Sequence, residues 1–320
     1  MRRRSFLAAS VLAGCASSPG GDRPAAERKA EPARLGRPQL WRTLQGGYLA
    51  PEPPQPGALP RLPGGAYVRW TRPGAIALRG VELLVADLGS GRLWRADLAS
   101  QSMSGIAGAP LGPGTALALG SDLSAWVLDP VSRAVLRFGR DGRLLQTHRA
   151  GNINTSPVAL ALADGGLTLL LADGLGAQWS EQRGAGSLLR LVAPEADGGR
   201  RITGVDGLAM AKNGLFVLDR SAGAVHRVTR EGRVLRSLGM GDLRQPVALA
   251  VDRLERVYVH DAFDNAVLRL REDGPAWRWS AAELGVQQIA GIAVDAMMLA
   301  VSDAVGAQVV VHSFMHDREP

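Results

Sequence analysis

Asp87, Asp129, Asp173, Asp219, Asp261 and Asp303 recur along this chain at intervals of 42, 44, 46, 42 and 42 residues. A period in that range belongs to chains built from one supersecondary unit copied several times, in which no copy buries its apolar face alone. The surroundings of each aspartate recur too. Two positions earlier stand Val85, Val127, Leu171, Val217, Val259 and Val301, and four positions earlier Leu83, Ala125, Leu169, Leu215, Val257 and Leu299.

Each copy reads as a series of short strands. A small-residue run comes first (GAIAL, TALAL, VALAL, GLAMA, VALAV, GIAVD), then an apolar run ending in the aspartate, such as LLVAD, LFVLD and VYVHD. A third run follows (RLWRA, AVLRF, AVHRV, AVLRL), and RLLQTH and RVLRSL add a more polar fourth after Asp141-Gly142 and Glu231-Gly232. Runs of four to six residues bounded by turn residues, with nothing of helical period, predict a four-stranded antiparallel sheet per copy. Such sheets must cover one another's faces, and radial closure removes long exposed edges. The expected fold is all-β, a six-bladed β-propeller over residues 64–320. Alanine and glycine suit innermost strands that converge on the axis, and β-branched residues suit the wedges between blades. Few residues follow the last blade's third strand, so a segment near the N-terminus must complete it. Ala66–Trp70 is the first candidate and Leu40–Leu44 the second.

Composition limits the rest of the chain. From Ala16 to about Pro63 the sequence is rich in Pro, Gly, Ala and Arg, which predicts a disordered tether with a short apolar island at Leu40–Leu49. At the N-terminus, the basic MRRR, nine apolar or small residues and the chain's only cysteine, Cys15, in LAGC resemble a bacterial lipoprotein signal. The resemblance implies cleavage after residue 14, lipidation of Cys15, a tether over residues 15–63 and an address in the cell envelope. The absence of an aspartate directly after Cys15 points to the outer membrane, facing the periplasm. RRSFL also resembles the core of a twin-arginine export signal, so the export route is left open. Removal of Arg2, Arg3 and Arg4 lowers a formal charge of +7 to +4, with the remaining basic residues dispersed. That argues against a nucleic-acid partner.

The run from Gln245 to Gly274, QPVALAVDRLERVYVHDAFDNAVLRLREDG, resembles an NHL repeat. The resemblance extends less regularly from Pro73 to Val311. It implies the propeller but not a reaction, since propellers of this kind include binding scaffolds, gluconolactonase-like hydrolases and lyases.

A group present in every copy is best read as part of the frame. The aspartates are expected to accept backbone N–H groups in the loops they begin, and Arg95, Arg137, Arg227 and Arg269, each eight residues after its aspartate, mark a blade position. Function is sought where the repeat is broken. Asp206 stands where other copies have Pro73, Pro157 and Pro246, which makes it the candidate carboxylate at the channel mouth. His260, next to the end of a second strand, stands where other copies have Ala86, Leu128, Ala172, Leu218 and Ser302, and His226 stands where others have Trp94, Leu136, Leu268 and Val310. His312 and His316 have a spacing seen in zinc sites, without a third ligand type nearby. The segment Gly174–Gly186 is expected to be an extended loop carrying Trp179, Glu181 and Arg183, and Phe263 is a second aromatic on the same side. These four are the candidate partner-binding residues.

No nucleophile elbow, phosphate loop or dinucleotide fingerprint is present, so no cofactor, metal or catalytic residue is assigned. The expected function is a lipid-anchored periplasmic scaffold that binds an envelope protein or an extended ligand. The alternative is a metal-dependent hydrolase, gluconolactonase-like, or a lyase using Asp206 and His260.

Overall fold

A computed structural model describes residues 37–50, 65–129, 131–149, 157–163, 168–172, 177–181, 188–189, 202–212, 214–230, 232–272 and 274–314. Cys15, the signal segment, Asp173, Arg183 and His316 lie outside the described residues.

Three strands precede the first copy: β1 (Gln39–Leu44), β2 (Gly46–Leu49) and β3 (Tyr67–Arg69). The first copy supplies β4 (Pro73–Arg79), β5 (Glu82–Asp87), β6 (Arg92–Asp97) and β7 (Ser102–Ile106). The second supplies β8 (Ala116–Leu119), β9 (Ala125–Asp129), β10 (Ala134–Phe138) and β11 (Leu144–Arg149). The third holds β12 (Ala159–Ala163), β13 (Thr168–Ala172), β14 (Ala177–Glu181) and β15 (Leu188–Leu189). The fourth holds β16 (Gly207–Ala211), β17 (Gly214–Asp219), β18 (Ala224–Val228) and β19 (Val234–Leu238). The fifth and sixth follow as β20 (Pro246–Val251), β21 (Val257–Asp261), β22 (Ala266–Leu270), β23 (Trp277–Ser280), and β24 (Ile289–Asp295), β25 (Met298–Asp303), β26 (Gln308–Ser313).

Within each copy the strands pair antiparallel in sequence order, and each copy's set forms its own sheet among the described residues. The first strands touch in cyclic order, β4 to β8, β8 to β12, β12 to β16, β16 to β20, β20 to β24 and β24 back to β4. That cycle of four-stranded antiparallel blades makes the chain a β-propeller.

Second strands sit deepest because a neighbouring sheet covers each of their faces. Every position of β5, β17 and β21 is buried. A fully buried Leu or Val contributes about 1.5–3 kcal/mol, so these strands hold the wedges together. First strands have the small residues that their crowding requires. A Cβ on Gly291 of β24 would stand 2.7 Å from the Gly74 carbonyl oxygen of the next blade.

The blade-closing strand is β1, not Ala66–Trp70. It runs antiparallel to β26, from Gln39 opposite Ser313 to Leu44 opposite Val309. Tyr67–Arg69 instead pairs with β2, which lies parallel to β7 on the outer edge of the first blade. The difference lies in Leu44, which packs among Trp70, Val309 and Val311, whereas β3 presents Tyr67 and Arg69 to solvent. Residues 39–49, placed in the tether by composition, thus belong to the sheets and join the last blade to the first.

A second correction concerns the third blade. The segment expected as an extended loop contains β14, whose register pairs Leu170 with Trp179. The same register position holds Arg95 opposite Leu84, Arg137 opposite Trp126, Arg227 opposite Phe216 and Arg269 opposite Tyr258. Trp179 is therefore the third blade's counterpart of those arginines. Trp179 and Glu181 lie on a strand, not on a projecting loop.

Candidate functional site

Among the described residues, Asp87, Asp129, Asp219, Asp261 and Asp303 each end a second strand at the same rim of the ring. In all of these but Asp129 the carboxylate gathers backbone N–H groups from two directions. Asp87 accepts from Thr71 and Arg72 at the entrance to β4 (3.1 and 2.7 Å) and from Gly89 in its own loop (3.3 Å). Asp261 accepts from Arg244 and Gln245 (2.6 and 3.1 Å) and from Phe263 (3.0 Å). Asp303 accepts from Gln287 and Gln288 (2.8 and 3.0 Å) and from Val305 and Gly306 (3.2 and 3.0 Å). Asp219 serves Thr203 and Ala222 in the same way. Burial alone would raise these carboxyls, but the converging donors outweigh it at Asp87, Asp219 and Asp303, whose pKa values are lowered. The aspartates are frame, as their recurrence predicts.

That frame determines what the rim presents. The residue two positions after the aspartate has its N–H turned inward onto the carboxylate, as at Val131, Phe263 and Val305. Its side chain is consequently turned out, and Val131, Phe263 and Val305 are 89%, 60% and 59% exposed. Apolar side chains on three blades thus stand in solvent at one face of the ring. Phe263 has the most elaborate setting. The Arg244 guanidinium carbon lies 4.8 Å from its ring centroid, and Arg244 also approaches Asp264 at 3.8 Å. Asp264 is bonded in turn by Arg278. A cation stacked on an exposed aromatic with a charged fringe combines the groups that interfaces favour.

Asp206 and His260 are not brought together: among the described residues no hydrogen bond or ion pair joins them. Asp206 lies at the entrance to β16, where its carboxylate accepts the Arg220 backbone N–H at 2.9 Å. His260 sits in β21 opposite Ala248 and Val267, only 5% exposed. Burial lowers its pKa to about 4 against the opposing pull of Asp261, so the imidazole is neutral at neutral pH. Its Nδ1 has no hydrogen-bond partner. In the sixth blade the corresponding Ser302 donates to the Gly74 carbonyl at 2.6 Å, which shows that this position faces the neighbouring blade. His226 is a core residue, bonded through Nδ1 to Ser237 Oγ at 2.8 Å. His312 is another, with Nε2 3.1 Å from the Leu284 carbonyl oxygen. Among the described residues no three His, Cys, Asp or Glu side chains converge as a metal site would need.

No family model matches the chain, and no curated protein does either. Solved structures do match, at the level of fold. A catalytically inactive virginiamycin B lyase from Staphylococcus aureus, solved with quinupristin, is 11% identical, with a TM-score of 0.56 over 76% of this chain and 95% of that one. A Bacteroides thetaiotaomicron protein of unknown function is 12% identical, with a TM-score of 0.56 over 76% of this chain and 70% of that one. A chain of a nidogen/laminin complex is 17% identical, with a TM-score of 0.53 over 70% and 87%. The shared property is the propeller. At these identities a common fold carries no common reaction.

Proposed function

We propose that this chain is a binding scaffold of the bacterial cell envelope, with six NHL-like blades, anchored through lipidated Cys15 and facing the periplasm from the outer membrane. The observation that carries the reading is the rim on which Val131, Phe263 and Val305 are held outward by their aspartates, with Arg244 stacked on Phe263. Such a surface suits an envelope protein or an extended ligand with apolar and acidic groups. The fold likeness to a nidogen/laminin complex chain is compatible with protein binding. Trp179 and Glu181 belong to β14 and not to a loop, and Arg183 lies outside the described residues.

The test is in-cell cross-linking of the full chain followed by recovery, comparing the native protein with Phe263→Asp and Arg244→Glu. Partners lost in both variants at unchanged melting temperature support the reading. An identical set of partners in all three would remove the rim from it. Metabolic labelling with a fatty acid, lost in Cys15→Ser, tests the anchor.

A lyase or hydrolase is the second reading, favoured by the lyase fold likeness and by the buried neutral His260 with its unpartnered Nδ1. The described residues do not fit a divalent cation there, since no three His, Cys, Asp or Glu side chains converge among them. A melting temperature lowered by chelator would restore the metal-dependent form.

A further inference from the structure

The arginine found eight residues after four of the aspartates is an ion-pair position in two blades. Arg137 reaches Asp122 at 2.7 Å and Arg227 reaches Glu255 at 2.7 Å. In the first blade the pattern breaks. Arg95 is 6% exposed, and its carboxylate neighbour, Glu82, is 3.7 Å away, beyond hydrogen-bond reach. The other oxygen of Glu82 accepts from Arg140 of the second blade at 3.0 Å. None of the three guanidinium nitrogens of Arg95 has a hydrogen-bond partner among the described residues. Burial accordingly lowers the Arg95 pKa, partly opposed by Glu82.

Arg95 lines a cavity of about 220 Å³ with Glu82, Asp97, Ser102, Met103, Ser104 and Arg140. Strand polarity places it at the opposite end of the ring from the aspartate loops, since Glu82 begins β5 and Asp87 ends it. Asp97 does not neutralise Arg95. Its Oδ1 accepts from the Ala99 and Ser100 amides at 2.8 and 2.7 Å and from Ser100 Oγ at 3.0 Å. The cavity therefore gathers two guanidinium groups, Arg95 and Arg140, and two carboxylates, Glu82 and Asp97, of which neither hydrogen-bonds Arg95.

We propose that this cleft between the first and second blades binds the carboxylate of a small polar molecule, received by the Arg95 guanidinium, with the Ser102 and Ser104 hydroxyls at hand for the remainder. The planar fork of arginine matches a carboxylate through two parallel N–H···O bonds. Glu82 and Asp97 on the same wall repel a doubly charged phosphate. The volume is about seven times a water molecule's share of the liquid, and lies below the roughly 300–1,000 Å³ of sites for drug-sized ligands. The site is independent of the rim that supports the scaffold reading.

Isothermal titration of the full chain with acetate, glycolate and inorganic phosphate tests the assignment. Saturable one-to-one binding of acetate or glycolate is expected, at least tenfold weaker in Arg95→Lys, which keeps the charge and loses the fork, and absent in Arg95→Met. The melting temperature of Arg95→Met is expected to fall, because the buried Glu82 loses one of its two guanidinium neighbours. Arg244→Gln, on the other rim, should bind as the native protein does. No saturable heat with either carboxylate up to about 50 mM overturns the proposal, as does phosphate binding at least as tight or undiminished binding in Arg95→Met. Should Arg95→Met not fold, Arg95→Lys together with Ser102→Leu on the outer strand decides by the same criteria.

Discussion

Replacing Leu44 by alanine should loosen the join between the last and first blades, and its cost follows from the packing. Leu44 is 3% exposed and sits among Trp70, Ile76, Val309 and Val311. A buried Leu→Ala change costs about 2–5 kcal/mol according to how far the site collapses. Here β1 is an outer strand whose backbone can settle inward, which favours the lower part, about 2–3 kcal/mol. At about 2–4 °C per kcal/mol for a domain of this size, the melting temperature should fall by ~4–12 °C. Urea unfolding followed by far-UV dichroism and tryptophan fluorescence measures it, with an unchanged slope showing that the unfolding unit is the same. Val68→Ala in β3, the segment that does not close the ring, is the control; Val68 is only partly buried, and less than ~1 kcal/mol is expected. A loss below ~1 kcal/mol in Leu44→Ala, or an equal loss in Val68→Ala, would refute the assignment of closure to β1.

Asp303→Ala leaves four backbone donors without their acceptor and should cost about 2–4 kcal/mol in urea unfolding. Because Asp87, Asp219 and Asp303 have lowered pKa values when folded, their stabilisation is complete above about pH 4 and is lost as pH falls below it, so the urea midpoint should drop steeply only in that acid range. His260 is also depressed, to about 4 from 6.5, so its share is present above about pH 6.5 and is lost as pH falls toward 4. The native protein should therefore lose melting temperature between pH 7 and pH 5, and His260→Leu should lose less of it. Phe263→Ala, at a 60% exposed position, should change stability by less than ~0.5 kcal/mol while weakening recovery of any rim-bound partner.

What the sequence made legible was the part imposed on every blade. The aspartates, the small first strands and the β-branched second strands follow from crowding at the axis and double-sided burial, and these recur because the geometry recurs. Closure was only half legible, since LWRTL and AYVRW both alternate and both contain tryptophan; the choice depended on what Leu44 meets across the ring. The third blade was less legible because its counterpart of the recurrent arginine is Trp179, so β14 has no arginine to mark it and its residues read as a loop. Arg95 was hidden by the opposite effect. Its recurrence made it look like frame, and the one sequence sign of difference is that Glu82 lies five residues before Asp87, whereas Asp122 lies seven before Asp129. Asp206 and His260 depart from the pattern, but departure from a pattern does not say that two residues meet.

The pairing of Gln39 with Ser313 also governs the order of events during synthesis. β1 has its lattice of amides and carbonyls completed by β26, so it must wait, unpaired, through the production of every blade between them. Local sheets can form as they emerge, but this seam joins segments far apart in the sequence, the slowest kind of contact to find. A ribosome-bound product that stops short of β26 therefore carries an open edge.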